Sequence, residues 1–487
     1  MVMETLQIRL TKGLIAEIQK LVDKDIYSSI SEAVRDSVRR LVLGKEDKIV
    51  VPEAKEVQEK IKKEIKKQLQ KPTGTIDFYP EEMATRKAIF RKFMAVAERY
   101  NFKQIETPAF ENLSLLTQKE GEEIKQQIFT LEKRGEEEFG LRFDITVPAA
   151  RMFIEKQKEL SRPVKWFYLT RMWRYERPQQ GRLREFYQFG TELFGSNKPE
   201  ADAEVISLLI DSFRALGLTE KDFFVKVNNR KLLQGLLEGV IEKGDIFEII
   251  SVIDKKSKIT DDEFDEELKR IKVNEENINK IKTIINIKDI NEIKEYCNND
   301  LSKEGLEELK SILNLLKGKK EFLRIDLSTA RGLAYYTGIV FEAYDKNEKY
   351  RALAGGGRYD KLIEMFNGEP TPATGFGMGY ATLSLLLKEK GLIPTIDSSP
   401  DYFIAIINDE VREKAIEIAS NLRKKCKVEI DLMQRNLGNQ FKFANKIGAK
   451  KVIIVGPDEL KEGKVKVKDM ETRKEEEVSL DNLFKNT

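Results

Sequence analysis

The stretch RMWRYERPQQGRLREFYQFGTELFG, residues 171–195, sets five arginines, three glutamates and three glutamines among Trp173, Tyr175, Phe186, Tyr187, Phe189 and Phe194. A solvated loop has no use for so many rings, and a buried strand does not tolerate so many charges. Both demands are met if residues 168–176 alternate as one strand and 185–194 as a second. The polar residues 177–184, with Pro178 and Gly181, then turn between them. On such a hairpin Arg174 and Glu176 share a face of the first arm, and Gln188, Gly190 and Glu192 share a face of the return arm. Arg177, Arg182 and Arg184 ride on the loop. Cations, acceptors and an approachable glycine then line a floor suited to a phosphorylated ligand that also carries amine and ring-nitrogen donors. Composition alone reads equally well as a salt-bridged surface hairpin.

The rest of the chain narrows the choice. Its 487 residues suffice for two or three domains. A formal charge of +3 supplies no global polycation, so any RNA contact must come from local basic patches. Cys297 and Cys426 are isolated, which leaves neither a disulfide framework nor a CxxC zinc site. There is no histidine, which removes Ser-His-Asp triads, HExxH zinc sites and any imidazole base. Catalysis must then rest on positioning and on fixed charge. No apolar run approaches membrane-spanning length and no signal peptide opens the chain, so a cytoplasmic protein without a membrane partner is expected.

The run RYERPQQGRLREFYQFGTELFG resembles motif 2 of class II aminoacyl-tRNA synthetases, in the form found in the histidyl-tRNA synthetase family. Other segments follow in the family's order. FKQIETP (102–108), after an amphipathic helix over 86–100, resembles motif 1, which builds the dimer interface. LRFDITVP (141–148) resembles the segment whose acid and threonine meet the α-amino group. RGLAYYTG (331–338) and AGGGRY (354–359) resemble the two histidyl-specific motifs. GFGMGYATLSLLL (375–387) stands where motif 3 belongs. Two departures are visible: Ala334 where the family usually has an acid, and Ala381 and Thr382 where a Glu-Arg pair is usual. Arg177 or Arg358 is expected to cover the distal phosphates instead.

The resemblance implies an α+β catalytic domain of the class II synthetase type with an antiparallel sheet over 74–395, interrupted by a helical insertion at 231–320. A small α/β anticodon-binding domain is implied over 398–487, where strands near 402–407, 428–431 and 451–455 alternate with helices. The implied activity is histidine–tRNA ligation: ATP, with Mg2+ carried on it, activates histidine as histidyl-adenylate, which is transferred to the 3′ end of tRNA(His). By resemblance the catalytic residues are Arg174, Arg331 and Gln188. ATP would meet Arg174, Glu176, Arg177, Arg182, Arg184, Phe186 and Arg331. Histidine would meet Asp144, Thr146, Gln188, Glu192, Arg331, Tyr335, Tyr336 and Tyr359. A homodimer is implied as well.

Residues 1–46 are of another kind. ETLQIRL (4–10) alternates as a strand, and two amphipathic helices follow, the second closed by Gly44. So small a unit cannot bury enough apolar surface alone, so its strand is expected to pair with a second copy. It resembles the ribbon-helix-helix family, whose outward strand residues, here Thr5, Gln7 and Arg9, read DNA. Dimerisation without DNA is the other reading. Residues 47–73 form a charged linker with a narrow apolar stripe (Val57, Ile61, Ile65), fit for a helix lying on a neighbour or pairing with its twin. Two alternatives to the ligase stay open. One is a DNA-binding regulator with a degenerate synthetase body that senses histidine or tRNA; the other is a regulatory subunit of ATP phosphoribosyltransferase.

Overall fold

The computed structural model describes residues 9–43, 52–118, 122–241, 245–256, 259–331 and 335–485. The chain divides into two units, residues 1–77 with 93–392, and residues 78–92 with 393–487. The strands of the first unit are β1 (Lys103–Gln104), β2 (Phe110–Asn112), β3 (Phe139–Leu141), β4 (Val164–Trp173), β5 (Glu185–Phe194), β6 (Phe223–Asn229), β7 (Leu323–Ile325), β8 (Ile339–Asp345), β9 (Ala354–Arg358) and β10 (Ala373–Gly379). Eight of them form one sheet in the order β1-β4-β5-β10-β9-β8-β6-β7, and β2 pairs with β3 apart from it.

The sheet is mixed, where an antiparallel one was expected. β1 runs parallel to β4 and β7 parallel to β6, while the pairs between are antiparallel. The cause is the length of the connections. Helical segments separate β1 from β4 and β6 from β7, and a long crossover returns the chain to the end it left, whereas a short turn reverses it. Loops without a helix, residues 174–184 and 346–353, join β4 to β5 and β8 to β9.

The hairpin of residues 171–195 exists, with a first arm that ends earlier than expected. β4 pairs with β5 from Val164↔Phe194 to Trp173↔Glu185 and stops there. Beyond it the Tyr175 amide donates to the carbonyl of Gln127, outside the hairpin, at 2.7 Å. Arg174 and Glu176 therefore sit in the loop and share no strand face. One face of the sheet is packed with rings: Phe189 stacks on Phe93 with centroids 5.1 Å apart and meets Phe167 and Phe376 at 6.2 and 5.8 Å.

The inserted region is helical, as its composition predicts, and builds its own core around Leu237, Ile253, Phe264 and Ile281. Near the amino terminus, helices Lys12–Asp23, Ile30–Leu43 and Pro52–Gln68 bury Leu14, Ile18, Leu21, Ala33, Val57, Ile61 and Ile65 together. The linker stripe thus lies on the two preceding helices. Thr5, Gln7 and Gly44 fall outside the described residues. Arg9 is exposed and outside any strand, and its carbonyl accepts from the Gln68 side chain.

In the second unit, β11 (Tyr402–Ile406), β12 (Val428–Ile430), β13 (Lys451–Val455), β14 (Lys464–Asp469) and β15 (Glu475–Ser479) are ordered β12-β11-β13-β14-β15. Ile404 and Ile453 pack with Ile418 of helix Arg412–Leu422, and Phe403 and Val452 pack with Ala444 of helix Leu437–Lys446. The two antiparallel strands β14 and β15 extend the three parallel ones that were expected. Their alternation is masked by charge, since Lys466 and Lys468 face Glu477 and Glu475 across the pair. Among the described residues no helix is long and apolar enough to cross a membrane.

Candidate active site on a glycine floor

Register decides what stands on the other face of the catalytic sheet. Thr170, Gln188 and Gly379 are paired in one row, Tyr168, Gly190 and Gly377 in the next, and Trp166, Glu192 and Gly375 in the third. Gly355 continues the second row and Gly357 the third. Directly paired residues project to the same side of a sheet, so the middle of this face is carpeted with glycine. The side chains that remain lie flat across it. A Cβ on Gly377 would overlap Gln188 Nε2, and one on Gly355 would overlap the Arg331 guanidinium. A Cβ on Gly375 would stand 2.6 Å from Glu192 Oε2 and 2.7 Å from Tyr359 Oη.

Four polar atoms here are buried with no hydrogen-bond partner among the described residues: Gln188 Oε1, Glu192 Oε2, Tyr359 Oη and Arg331 Nε. Leaving a buried polar atom unpaired costs about 1–3 kcal/mol, and natural cores rarely do so. Several together on one floor mark a place built for a ligand's own donors and acceptors.

Each group is set by its neighbours. Glu192 accepts from Thr146 Oγ1 at 3.0 Å through Oε1. Burial first, and then the charge of Asp144, push its carboxyl well above the usual range, against the Thr146 hydrogen bond. Asp144 in turn accepts from the Thr146 amide at 2.6 Å, at the start of helix Thr146–Glu155. Arg331, in the left-handed region at φ 54°, donates to Glu342 Oε1 at 2.9 Å and to the Tyr336 hydroxyl at 3.4 Å. Burial opposes its charge, yet Tyr336 and Glu342 hold the guanidinium protonated well above its ordinary value. Tyr335, Tyr336 and Tyr359 pack edge to face or tilted, with centroids 4.8–6.3 Å apart. Ala334 lies outside the described residues.

Arg174 closes one side, its Nε donating to the Phe143 carbonyl at 3.0 Å and its guanidinium 5.3 Å from the Phe186 ring. In the loop Arg182 makes a two-pronged ion pair with Glu176. Arg177 is exposed, with no partner among the described residues. Arg184 is turned to other work: it lies 4.2 Å over the Tyr175 ring and donates to the Glu176 carbonyl, so it braces the loop. The expectation that Arg358 is free for phosphate is overturned. It is buried and held by Asp202, Asp360 and the carbonyls of Ser196 and Lys198. At the position of the missing motif 3 arginine, Thr382 Oγ1 donates to the Gly181 carbonyl at 3.1 Å and docks the tip of the loop.

Two participants escape a reading of the sequence alone. Glu342 anchors Arg331 across the sheet. Tyr168, fully buried, carries its hydroxyl over Gly190 and near Gly377. Burial, then Glu192, Asp144 and Tyr336, hold that hydroxyl protonated against the pull of Arg174. Groups from the return arm and the loop of the hairpin, from residue 144 and from residue 336 thus act on one atom. Period-two glycine in GFGMG was the available signal, but only register shows which rings lie across it.

Comparison with known proteins agrees with this geometry. The profile of the family described as histidyl-tRNA synthetase matches residues 74–383, and that of the anticodon binding domain matches residues 401–486. The histidine–tRNA ligase of Pyrococcus furiosus is 40% identical over 424 residues, covering 85% of this chain and 98% of that protein. The histidine–tRNA ligase of Natronomonas pharaonis is 39% identical over 411 residues, covering 84% and 95%. Among solved structures, histidyl-tRNA synthetase from Nostoc sp. PCC 7120 superposes with a TM-score of 0.71 at 28% identity, covering 86% of this chain and 98% of that one. A Bacillus halodurans C structure described as an ATP phosphoribosyltransferase regulatory subunit/histidyl-tRNA synthetase gives 0.66 at 26% identity, covering 79% and 98%.

Proposed function

The chain belongs to the histidyl-tRNA synthetase family, and from that premise we infer how its own residues perform the work of a histidine–tRNA ligase that uses ATP, histidine and tRNA(His). In the first step a carboxylate oxygen of histidine attacks the α-phosphorus of ATP. Histidyl-adenylate forms and pyrophosphate leaves. In the second, a ribose hydroxyl at the 3′ end of the tRNA attacks the activated carbonyl, AMP departs, and the proton passes to a phosphate oxygen.

The observation that carries the site assignment is the set of unpaired buried atoms on the glycine floor. An imidazole that offers N–H to Glu192 Oε2 and meets the Tyr359 hydroxyl satisfies two of them at once, with Tyr335 and Tyr336 walling the ring. Gln188 Oε1 takes the α-amino group, assisted by Asp144 and Thr146. Arg331 Nε lies free for the reacting carboxylate and phosphate. Charge accumulating at the pentavalent phosphorus is then met by fixed guanidiniums of Arg174 and Arg331, whose orientation needs no rearrangement during reaction. Phe186 offers its ring for the adenine to stack on. ATP trades the Arg182–Glu176 ion pair for an adenine amine on Glu176 and a phosphate on Arg182, while Arg177 reaches the triphosphate from the loop. Arg184 holds the loop in shape. No imidazole base is required, because orientation in a shared pocket converts the attack into a near-unimolecular step.

Selectivity follows from Glu192. An apolar side chain in the slot leaves the carboxylate unpaired, a penalty strong enough to reject it without editing. Mg2+ is taken to arrive on the triphosphate. We assign residues 74–395 to catalysis, 231–320 to an insertion within them, and 398–487 to the anticodon; a cytoplasmic homodimer suits the family. The helices Lys12–Asp23 and Ile30–Leu43 support a ribbon-helix-helix-like reading of residues 1–46. In that reading the module pairs with its copy on the dimer axis and offers Thr5, Gln7 and Arg9 to DNA. Histidine-dependent exchange of pyrophosphate into ATP tests the catalytic assignment. A folded chain that binds histidine but exchanges nothing would favour a sensor with a degenerate body.

A further inference from the structure

We propose that Arg351 is a further ATP-binding residue, set to grip the distal phosphates of the triphosphate received by the loop of residues 174–184; the proposal rests on the ligase reading above. Its position follows from register. Ala354 pairs with Met378, and the Leu353 carbonyl accepts from the Gly379 amide at 3.2 Å. The chain that leads into β9 therefore arrives where β10 gives way to helix Tyr380–Glu389. Gln188 pairs with Gly379 at this same end of the sheet, and Arg174 follows directly after β4 ends there. The backbone is held in place. Asp345 accepts from the amides of Asn347, Lys349 and Tyr350 at 3.2, 3.0 and 2.9 Å, and the Tyr350 hydroxyl donates to Glu389 at 2.7 Å.

The Arg351 guanidinium has no hydrogen-bond or ion-pair partner among the described residues and is open to solvent. Partial burial, then the charge of Arg182, hold it below its ordinary pKa; Glu176 pulls the other way and Arg174 adds to the push. Three cations thus share one rim with a single carboxylate, and Arg182 already occupies that carboxylate. Fixed like charges repel unless an anion joins them, and a polyphosphate is the ligand this reaction brings. Arg177 also rides on this loop, while two other positions are closed. Arg358 is tied to Asp202 and Asp360, and Thr382 is covered by the tip of the loop at Gly181, which leaves no room for a cation there.

The test uses the full chain carrying Arg351→Gln, with Arg351→Lys beside it. Michaelis constants for ATP and pyrophosphate in the exchange reaction are compared with inhibition by AMP and with the constant for histidine. ATP and pyrophosphate are expected to bind more weakly by roughly 10- to 100-fold, the loss of a charge-assisted bond to phosphate. AMP and histidine should change less than about twofold, and lysine should recover part of the loss because it restores the charge but not the fork. Unchanged ATP binding in Arg351→Gln, with the wild type active in exchange, overturns the assignment and leaves the ligase reading standing. An equal weakening of AMP and ATP overturns it too, because a loss shared by both ligands points to a distorted loop.

Discussion

Replacing Glu192 by glutamine separates the two things its carboxylate does. The carboxyl is fully buried, receives one hydrogen bond from Thr146, and leaves Oε2 unpaired. Glutamine keeps the shape and still accepts from Thr146. A hydrogen bond to an ionised group contributes about 1.5–3 kcal/mol against about 0.5–1.5 for a neutral one. The imidazole contact should therefore weaken by roughly 1–2 kcal/mol, about 5- to 30-fold in kcat/KM for histidine. Stability should move the other way. Because burial and Asp144 raise the carboxyl's pKa in the folded chain, the native state binds more protons than the unfolded state at every pH between the two values. Stability from this group is then greatest below the unfolded pKa and falls as pH rises toward the folded one, by at most about 1.4 kcal/mol per pH unit. Glu192→Gln removes that penalty, so the empty protein should melt higher at neutral pH and lose part of its pH dependence. The assay is paired: thermal melts at pH 5 and pH 7.5 without ligand, and histidine-dependent exchange at pH 7.5. A variant that loses stability and activity together would refute the reasoning, since it would make Glu192 a member of the core and not the unpaired end of a binding slot.

Other outcomes follow from the same geometry. Arg331→Ala should lower the adenylation rate about 10²- to 10³-fold while histidine binding, measured by calorimetry, changes far less. Gly355→Ala places a methyl where the Arg331 guanidinium crosses the sheet, so kcat should fall with ATP and histidine affinities nearly kept. Arg358→Ala leaves Asp202, whose pKa burial raises to about 6 even against the pull of Arg358, without its partner. It should destabilise the fold by about 3–5 kcal/mol, read as a fall in the denaturation midpoint, without a selective effect on ATP. Deleting residues 1–73 should leave pyrophosphate exchange in place, and sedimentation and DNA retention of the deleted chain then report what those residues contribute.

Much of this was legible in the chain, for reasons that can be named. The β4–β5 hairpin announces itself because aromatic and polar residues alternate with period two on both arms. Arg331, Tyr335, Tyr336 and Glu192 were reachable through resemblance, not spacing. The failures have physical causes too. Arg174 and Glu176 were set on a strand because alternation continues past Trp173, whereas the Tyr175 amide finds its acceptor at Gln127, a contact distant in sequence. Arg358 reads as a free cation in the sequence because its partner Asp202 lies far away along the chain. Parallel edges escaped because strand direction is set by crossovers, which a local pattern does not record. Arg351 had no motif around it and is visible only once β9 and β10 are paired.

The central claim is that the unpaired atoms on the glycine floor belong to histidine and its adenylate. A crystal structure of the chain with a non-hydrolysable sulfamoyl analogue of histidyl-adenylate tests it most directly. The imidazole should lie on Glu192 Oε2 and the Tyr359 hydroxyl, with the acyl-phosphate mimic between Arg174 and Arg331. An analogue bound elsewhere, with those atoms still unpaired beneath it, would contradict the account.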